Sequence, residues 1–187
     1  MNKCASEILD FWFNKSKQKQ WFEKDIEYDN LIKEKFLNYH NSAISGQFKS
    51  WKNLPLESLA LIILIDQFSR NIFREHHNSY KYDSISLEVS KSGIKSQFLQ
   101  KFNNLDEKLF YILPLIHSEN INDQNQAIKL ANEELKMHPD FNIIIKFFDR
   151  HKEIIEKFNR FPHRNIILNR VSTTEEIAFL KTPFSSF

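Results

Sequence analysis

The sequence predicts an all-α fold, a single domain of about eight helices packed as an array around one central buried helix. Three observations carry this expectation. Two glycines and five prolines in 187 residues starve β-turns and hairpins of their usual residues, while helix connections manage with Asn, Asp and Ser. Seven consecutive apolar residues, Leu59 to Ile65, leave no polar face, and a helix that is apolar all round belongs inside a core. A hydrophobic content of 41% over this length suits one domain, residues 1–187, with a sizeable interior.

Each element has a local reason. Ile8, Leu9, Trp12 and Phe13 fall on one face of a short opening helix, Ala5 to Phe13. Asp25 is placed to cap a second helix running to about Ser45, with Tyr28, Leu31, Ile32, Phe36 and Tyr39 as its stripe and Gly46 as its end. Pro55 suits the first turn of the spine helix, and Asp66, Arg70 and Arg74, spaced by four, alternate charge down one edge of it. Asp83 or Ser84 is expected to cap the next helix, with Ile85, Leu87, Val89 and Ile94 inward and Gly93 weakening its end.

Asn104 or Asp106 starts another helix, through Leu109, Phe110, Ile112, Leu113 and Ile116, in which Pro114 is expected to cause a kink or end the regular part. Asp123 begins a helix to about Met137, and Pro139 breaks it. Asp140 caps a long one through Phe158, with Phe141, Ile144, Ile145, Phe148, Ile155 and Phe158 inward. Because Phe161 precedes Pro162, the stretch RFPHRNIILNR reads as an extended, ordered loop. Overlapping capping boxes within Ser172 to Glu176 start a last helix to about Lys181.

A net charge of +2 with scattered lysines disfavours nucleic acid and membrane surfaces as partners. Cys4 is the only cysteine, so no internal disulfide forms. Glu7 and Asp10 interrupt the first apolar run, unlike a signal peptide, and a cytoplasmic location is expected. The run from Leu59 ends at Asp66, short of the roughly 18 apolar residues a membrane span needs.

Arginine usage carries more than net charge. Twenty lysines accompany only six arginines, Arg70 and Arg74 in one stretch and Arg150, Arg160, Arg164 and Arg170 in another. In a lysine-rich chain these are the places where a planar, forked, permanent donor is required. Asp66 with Arg70 reads as a half-buried structural ion pair or as part of a site. His151 lies on the apolar stripe between Phe148 and Ile155, as a core histidine or as a base.

His117 and Glu119, with Asp123 and Gln124, supply either an acid and base pair, metal ligands, or helix caps. Arg160, His163, Arg164 and Arg170, four basic side chains in eleven residues, either cradle a phosphate or carboxylate or pin their loop to helix ends. There is no HExxH, CxxC, GxGxxG, P-loop or GxSxG, so neither a metal nor a cofactor is expected.

The segments DQFSRNIFR, YILPLIHSENINDQ and HKEIIEKFNRFPHRNIILNRVSTTEE, in that order, with FWF and WFEKDIEYD before them, closely resemble the uncharacterised bacterial family catalogued as domain of unknown function 924. The resemblance covers nearly the whole chain. It implies an all-α fold similar to tetratricopeptide-type helical arrays and no known activity. Residues matching the family pattern are Asp66, Gln67, Arg70, Asn71, Arg74, His117, Glu119, Asp123, Gln124, His151, Arg160, His163, Arg164, Asn165 and Arg170. The family usually reads Pro where this chain has Ser69, and Gly where it has Glu75, Asn159 and Asn169.

The leading expectation is a polar pocket where the spine, the segment from His117 to Gln124 and the loop from Arg160 to Arg170 meet. Its ligand would be a small anion held by Arg70, Arg74, Asp66, Asn71, His117, Asp123, Gln124, Arg160, Arg164 and Arg170. His151, His163 and Glu119 are the candidate catalytic groups. A second expectation is a tetratricopeptide-like scaffold binding a peptide, and a third a metal-dependent hydrolase or oxygenase.

Overall fold

Every residue from Glu57 to Ser69 is buried, as the unbroken apolar run requires. In the computed structural model, which describes residues 1–186, this spine starts as α4 (Pro55–Ile62) with Pro55 at its first position and finishes as α5 (Phe68–Ile72). Phe187, included in the single-domain reading, lies outside the described residues. Between α4 and α5 the helix widens into a π turn, Ile63–Gln67, in which the Phe68 N–H bonds the Ile63 carbonyl. Periodicity gave no sign of it. Such single-turn insertions are frequent at functional sites, and here Asp66 and Gln67 bring polar side chains into the interior.

Around the spine the described residues form helices and no strand. α1 (Lys3–Leu9) packs on α4 and continues as a second π segment, Asp10–Lys15. After the short α2 (Gln18–Phe22) comes α3 (Ile26–Ile44), which lies along α5 and is capped by Asp25 through the Tyr28 N–H at 3.0 Å. The phenylalanines supply the contacts: Phe36 meets Phe68 and Phe11 at ring separations of 4.8 and 5.0 Å, and Trp12 meets Phe68 and Phe110 at 5.5 and 5.3 Å. Edge-to-face and tilted pairs of this kind add to area burial.

Beyond α6 (Asn78–Lys81), α7 (Asp83–Lys95) and α8 (Leu105–Ile116) touch each other and α4. α9 (Ile121–Glu134) packs against both α8 and α10 (Phe141–Phe158). From α7 to α10 consecutive helices are thus neighbours, while α1 and α3 pack on parts of the spine, α4 and α5, that are not next to them in the chain. α11 (Thr174–Phe179) closes the chain, with Thr173 and Glu176 forming its capping box. The eight expected helices are present, and α2 and α6, each five residues or shorter, are additions that periodicity over so few positions does not resolve.

Several local expectations are corrected. The buried face of α7 is Ser86, Val89, Ser90 and Gly93, while Ile85, Leu87 and Ile94 are only partly covered. Small residues there let α7 approach α8: a Cβ on Gly93 would lie 1.8 Å from the Tyr111 hydroxyl oxygen. Asp83 does not cap α7, and Asn120, not Asp123, caps α9 through the Asn122 N–H at 2.9 Å. Pro114 does not stop α8, which runs on to Ile116. Glu75, Asn159 and Asn169 all have positive φ, at 63°, 55° and 53°. The left-handed turns that glycine favours are therefore kept without glycine. Ser69, where the family has Pro, lies 2.8 Å from the buried ring of His40.

Candidate functional site

A cavity of about 300 Å³ opens where α2, the end of the spine, α6, the C-terminal end of α8, α10 and the turn Pro162–Arg164 meet. Gln67, Arg70, Asn71 and Arg74 reach it from the spine, and Tyr80 from α6. His117 comes from the end of α8, His151 from α10, and His163 and Arg164 from the turn. Behind them lies Asp66, wholly buried. Its Oδ1 is 2.9 Å from His117 Nδ1, and its Oδ2 accepts from Gln67 Nε2 at 2.5 Å. Burial works against this carboxylate, but the charges of His117 and Arg70 and the hydrogen bonds of His117 and Gln67 outweigh it, holding it ionised below the usual range.

Two guanidinium groups converge on Asp83. Arg70 grips it with both ends, Nη1 to Oδ1 and Nη2 to Oδ2 each at 2.9 Å. It also donates to the Ser79 carbonyl and reaches Asp66 at 3.5 Å. Arg164 Nη1 donates to the His117 carbonyl at 3.1 Å and reaches the same Asp83 oxygen only at 3.5 Å. The Arg164 guanidinium lies over the rings of Tyr80 and Phe161, 4.6 and 4.5 Å from their centroids, and Arg70 lies 4.7 Å from the Tyr80 centroid. Arg164 is buried, and its Nε has no hydrogen-bond partner among the described residues.

Burial destabilises the Arg164 cation, Asp83 partly offsets this, and Arg70 adds to it, so its pKa is lowered. Arginine stays charged regardless, so this cation is held with an incomplete counter-charge. Arg74, by contrast, is matched: it bonds Asp29 through Nε and through Nη2 at 2.7 Å, and Asn71 donates to the same carboxylate at 2.7 Å. Glu23 and Glu75 stand at the exposed lip, paired with Lys19 at 3.2 Å and Lys24 at 2.6 Å.

The three histidines differ. His117 must donate its Nδ1 hydrogen to Asp66, because an ionised carboxylate only accepts, which leaves Nε2 as its other polar atom. His151 donates Nδ1–H to the Phe147 carbonyl at 2.8 Å, and burial holds its pKa well below the ordinary value. His163 is pushed down to about 3 by burial and by the positive charges of Arg164 and Arg70. Both are therefore neutral near pH 7 and carry no imidazolium proton to supply. The carboxylate that orients His117 is Asp66.

Asp66 lies behind the cavity, and five further expected site residues, Glu119, Asp123, Gln124, Arg160 and Arg170, do not line it either. Arg160 donates to both oxygens of Glu176, at 2.6 and 2.7 Å, and to the Val171 carbonyl. Arg170 holds Glu119 at 2.7 and 3.0 Å, and Glu119 also accepts from the Phe161 N–H at 2.8 Å. Asp123 bonds Ser118 at 2.7 Å and Lys91 at 2.5 Å, while Gln124 donates to the carbonyls of Ile116 and Ser118, both at 2.7 Å. Each of these secures a loop or a helix end around the turn that presents His163 and Arg164.

Sequence reasoning passed over Asp83, Tyr80 and Asp29. An acid before an apolar run is read as a cap, which hid Asp83, and Asp29 sits 45 residues from its partner Arg74. Among the described residues no group of three or more His, Cys, Asp or Glu is arranged to hold a metal ion, and no helix is long and apolar enough to cross a membrane.

The sequence model of a family described as "Bacterial protein of unknown function (DUF924)" matches residues 8–184. The chain belongs to this family. It is also similar to the solved structure of a protein of unknown function from Agrobacterium tumefaciens, at 34% identity and a TM-score of 0.86, over 95% of this chain and 96% of that one. No curated protein matches. Membership in the DUF924 family thus agrees with the helical array and assigns no activity.

Proposed function

We propose that the cavity binds a small anion, a carboxylate or phosphate, between Arg164, Arg70 and His117. The observation that carries this reading is Arg164. It is a buried permanent cation whose one carboxylate contact, at 3.5 Å, is to a group already held bidentately by Arg70. Its Nε is unsatisfied. A buried, incompletely matched charge is costly, and an anion accepting from the forked guanidinium relieves that cost with a strong, oriented contact. The rings of Tyr80 and Phe161 lie against the guanidinium, and the low-dielectric surroundings they give it strengthen each polar contact. His117, oriented by Asp66, adds a further polar group, and the neutral His151 and His163 add no negative charge to repel the ligand.

The test is a thermal-shift screen of phosphorylated and carboxylated metabolites. A binder at 100 times its dissociation constant adds about 2.7 kcal/mol of stability. Arg164→Lys, which keeps the charge but loses the fork, is expected to remove that gain while the protein stays folded. A panel in which no anion stabilises the protein, or in which Arg164→Lys leaves the gain intact, rejects the reading.

A further inference from the structure

We propose that the anion is amphipathic, a carboxylate or phosphate head carrying an apolar tail, and that the tail lies in the groove between α2, α8 and α10. This rests on the anion-site reading above and names the class of ligand that site takes. A groove of about 550 Å³ lies beside the polar cavity, and the two share Trp21, Phe22, Leu113 and Phe147, with Glu23 at the exposed edge, in their lining. Away from these shared residues the groove is lined by Leu109, Ile143, Ile144 and Phe148.

Two side chains here are exposed without a structural need. Phe22 is 62% exposed on a helix that has no buried residue. Ile143 is 68% exposed and lies off the face of α10 that buries Ile144, Phe148, His151, Ile154 and Ile155. The polar side chains bordering the groove pair among themselves, His138 with Asp106 at 3.0 Å, Gln18 with Asp140 at 3.2 Å and Lys19 with Glu23 at 3.2 Å. They leave an apolar floor that asks for no hydrogen bond. In one of these adjoining spaces stand Arg164, Arg70 and His117, and the other is an apolar trough. A molecule complementary to both is charged at one end and apolar at the other, since a contiguous exposed apolar surface rimmed by polar groups marks a binding groove.

The experiment is calorimetric titration of the whole chain with n-alkyl carboxylates from acetate to decanoate and with the matching n-alkyl phosphates, below their micelle concentrations. n-Alkyl alcohols serve as headless controls. Each methylene entering the groove is expected to tighten binding about fourfold, the equivalent of ~0.8 kcal/mol per buried CH₂, and the alcohols are expected to bind far more weakly. A rise in only one series supports the inference and assigns the head group.

Ile143→Glu alters an exposed side chain, so it is expected to fold and to flatten the dependence on length. Short anions bound through Arg164 with no gain from length would overturn the tail assignment and leave the anion site standing. Absence of binding by every anion would overturn the site itself, and alcohols binding as tightly as the anions would overturn the link between groove and head.

Discussion

Arg70 and Arg164 meet on one carboxylate oxygen, Oδ2 of Asp83, which lies 2.9 Å from Arg70 Nη2 and 3.5 Å from Arg164 Nη1. One carboxylate thus answers two guanidinium groups, and it answers them unequally. Arg70 is fully engaged and has Asp66 besides. The less compensated Arg164 is the more deeply buried of the two, with 8% of its side chain exposed against 22%.

Asp66 is the buried counter-charge of this network, so Asp66→Ala is expected to cost about 3 to 5 kcal/mol by stranding His117 and Arg70. Asp66→Asn keeps the shape and should cost less. Urea titration checks both, and a loss below about 1 kcal/mol for the alanine variant would mean that the carboxylate does not matter to the fold.

Acid should weaken the protein early. Burial lowers His40 to about 4, His163 to about 3, and His151 well below the ordinary 6.5. A histidine whose folded pKa is depressed contributes stability that is full above its unfolded pKa and is lost as pH falls toward the folded value. Denaturation midpoints are therefore expected to be level above about pH 7 and to decline below 6.5, by up to about 1.4 kcal/mol per pH unit for each proton gained on unfolding. Asp66, Glu119 and Glu176 have lowered pKa values, so their contribution is lost only further down, as pH falls below the usual carboxylate range. A midpoint unchanged from pH 7 to 5 would contradict this, and His163→Gln should make the decline shallower.

Backbone conformation gives a paired prediction. Glu75 holds φ at 63°, and its ion pair with Lys24 is exposed. Glu75→Gly should be neutral or raise stability by up to about 1 kcal/mol. Gly93→Ala places a carbon against the Tyr111 ring and hydroxyl and is expected to cost about 1 to 3 kcal/mol, as overpacking does. Thermal melts should show Gly93→Ala falling and Glu75→Gly level or rising, and a fall in both would refute the assignment.

Arg160 tethers α11 through Glu176. Arg160→Ala should speed hydrogen exchange across residues 174–179 while leaving α4 and α8 protected. Equal loss of protection in all three would show that the tether is part of the global fold.

The helices were legible because long stripes such as those of α3 and α10 repeat over four or more turns. The seven-residue apolar run announced the spine just as plainly. The π turn at Ile63–Gln67 was not, since one extra residue in a stretch apolar on every side changes no pattern. In the site, the scarcity of arginine pointed to Arg70 and Arg164, but it weighted Arg160 and Arg170 equally. What separates them is which carboxylate each meets, Asp83 or the clamps Glu176 and Glu119. Those pairings join residues up to 81 positions apart, 81 for Arg164 with Asp83, and no spacing rule within a helix encodes them.

The most direct test of the central claim is calorimetric titration of the best anion from the screen into the wild-type protein, Arg164→Lys and Arg160→Ala. The account predicts that Arg164→Lys loses binding, because the anion meets that guanidinium. Arg160→Ala, altered outside the cavity, should bind nearly as the wild type does. Binding kept in Arg164→Lys and lost in Arg160→Ala would contradict it and move the anion to the α11 tether.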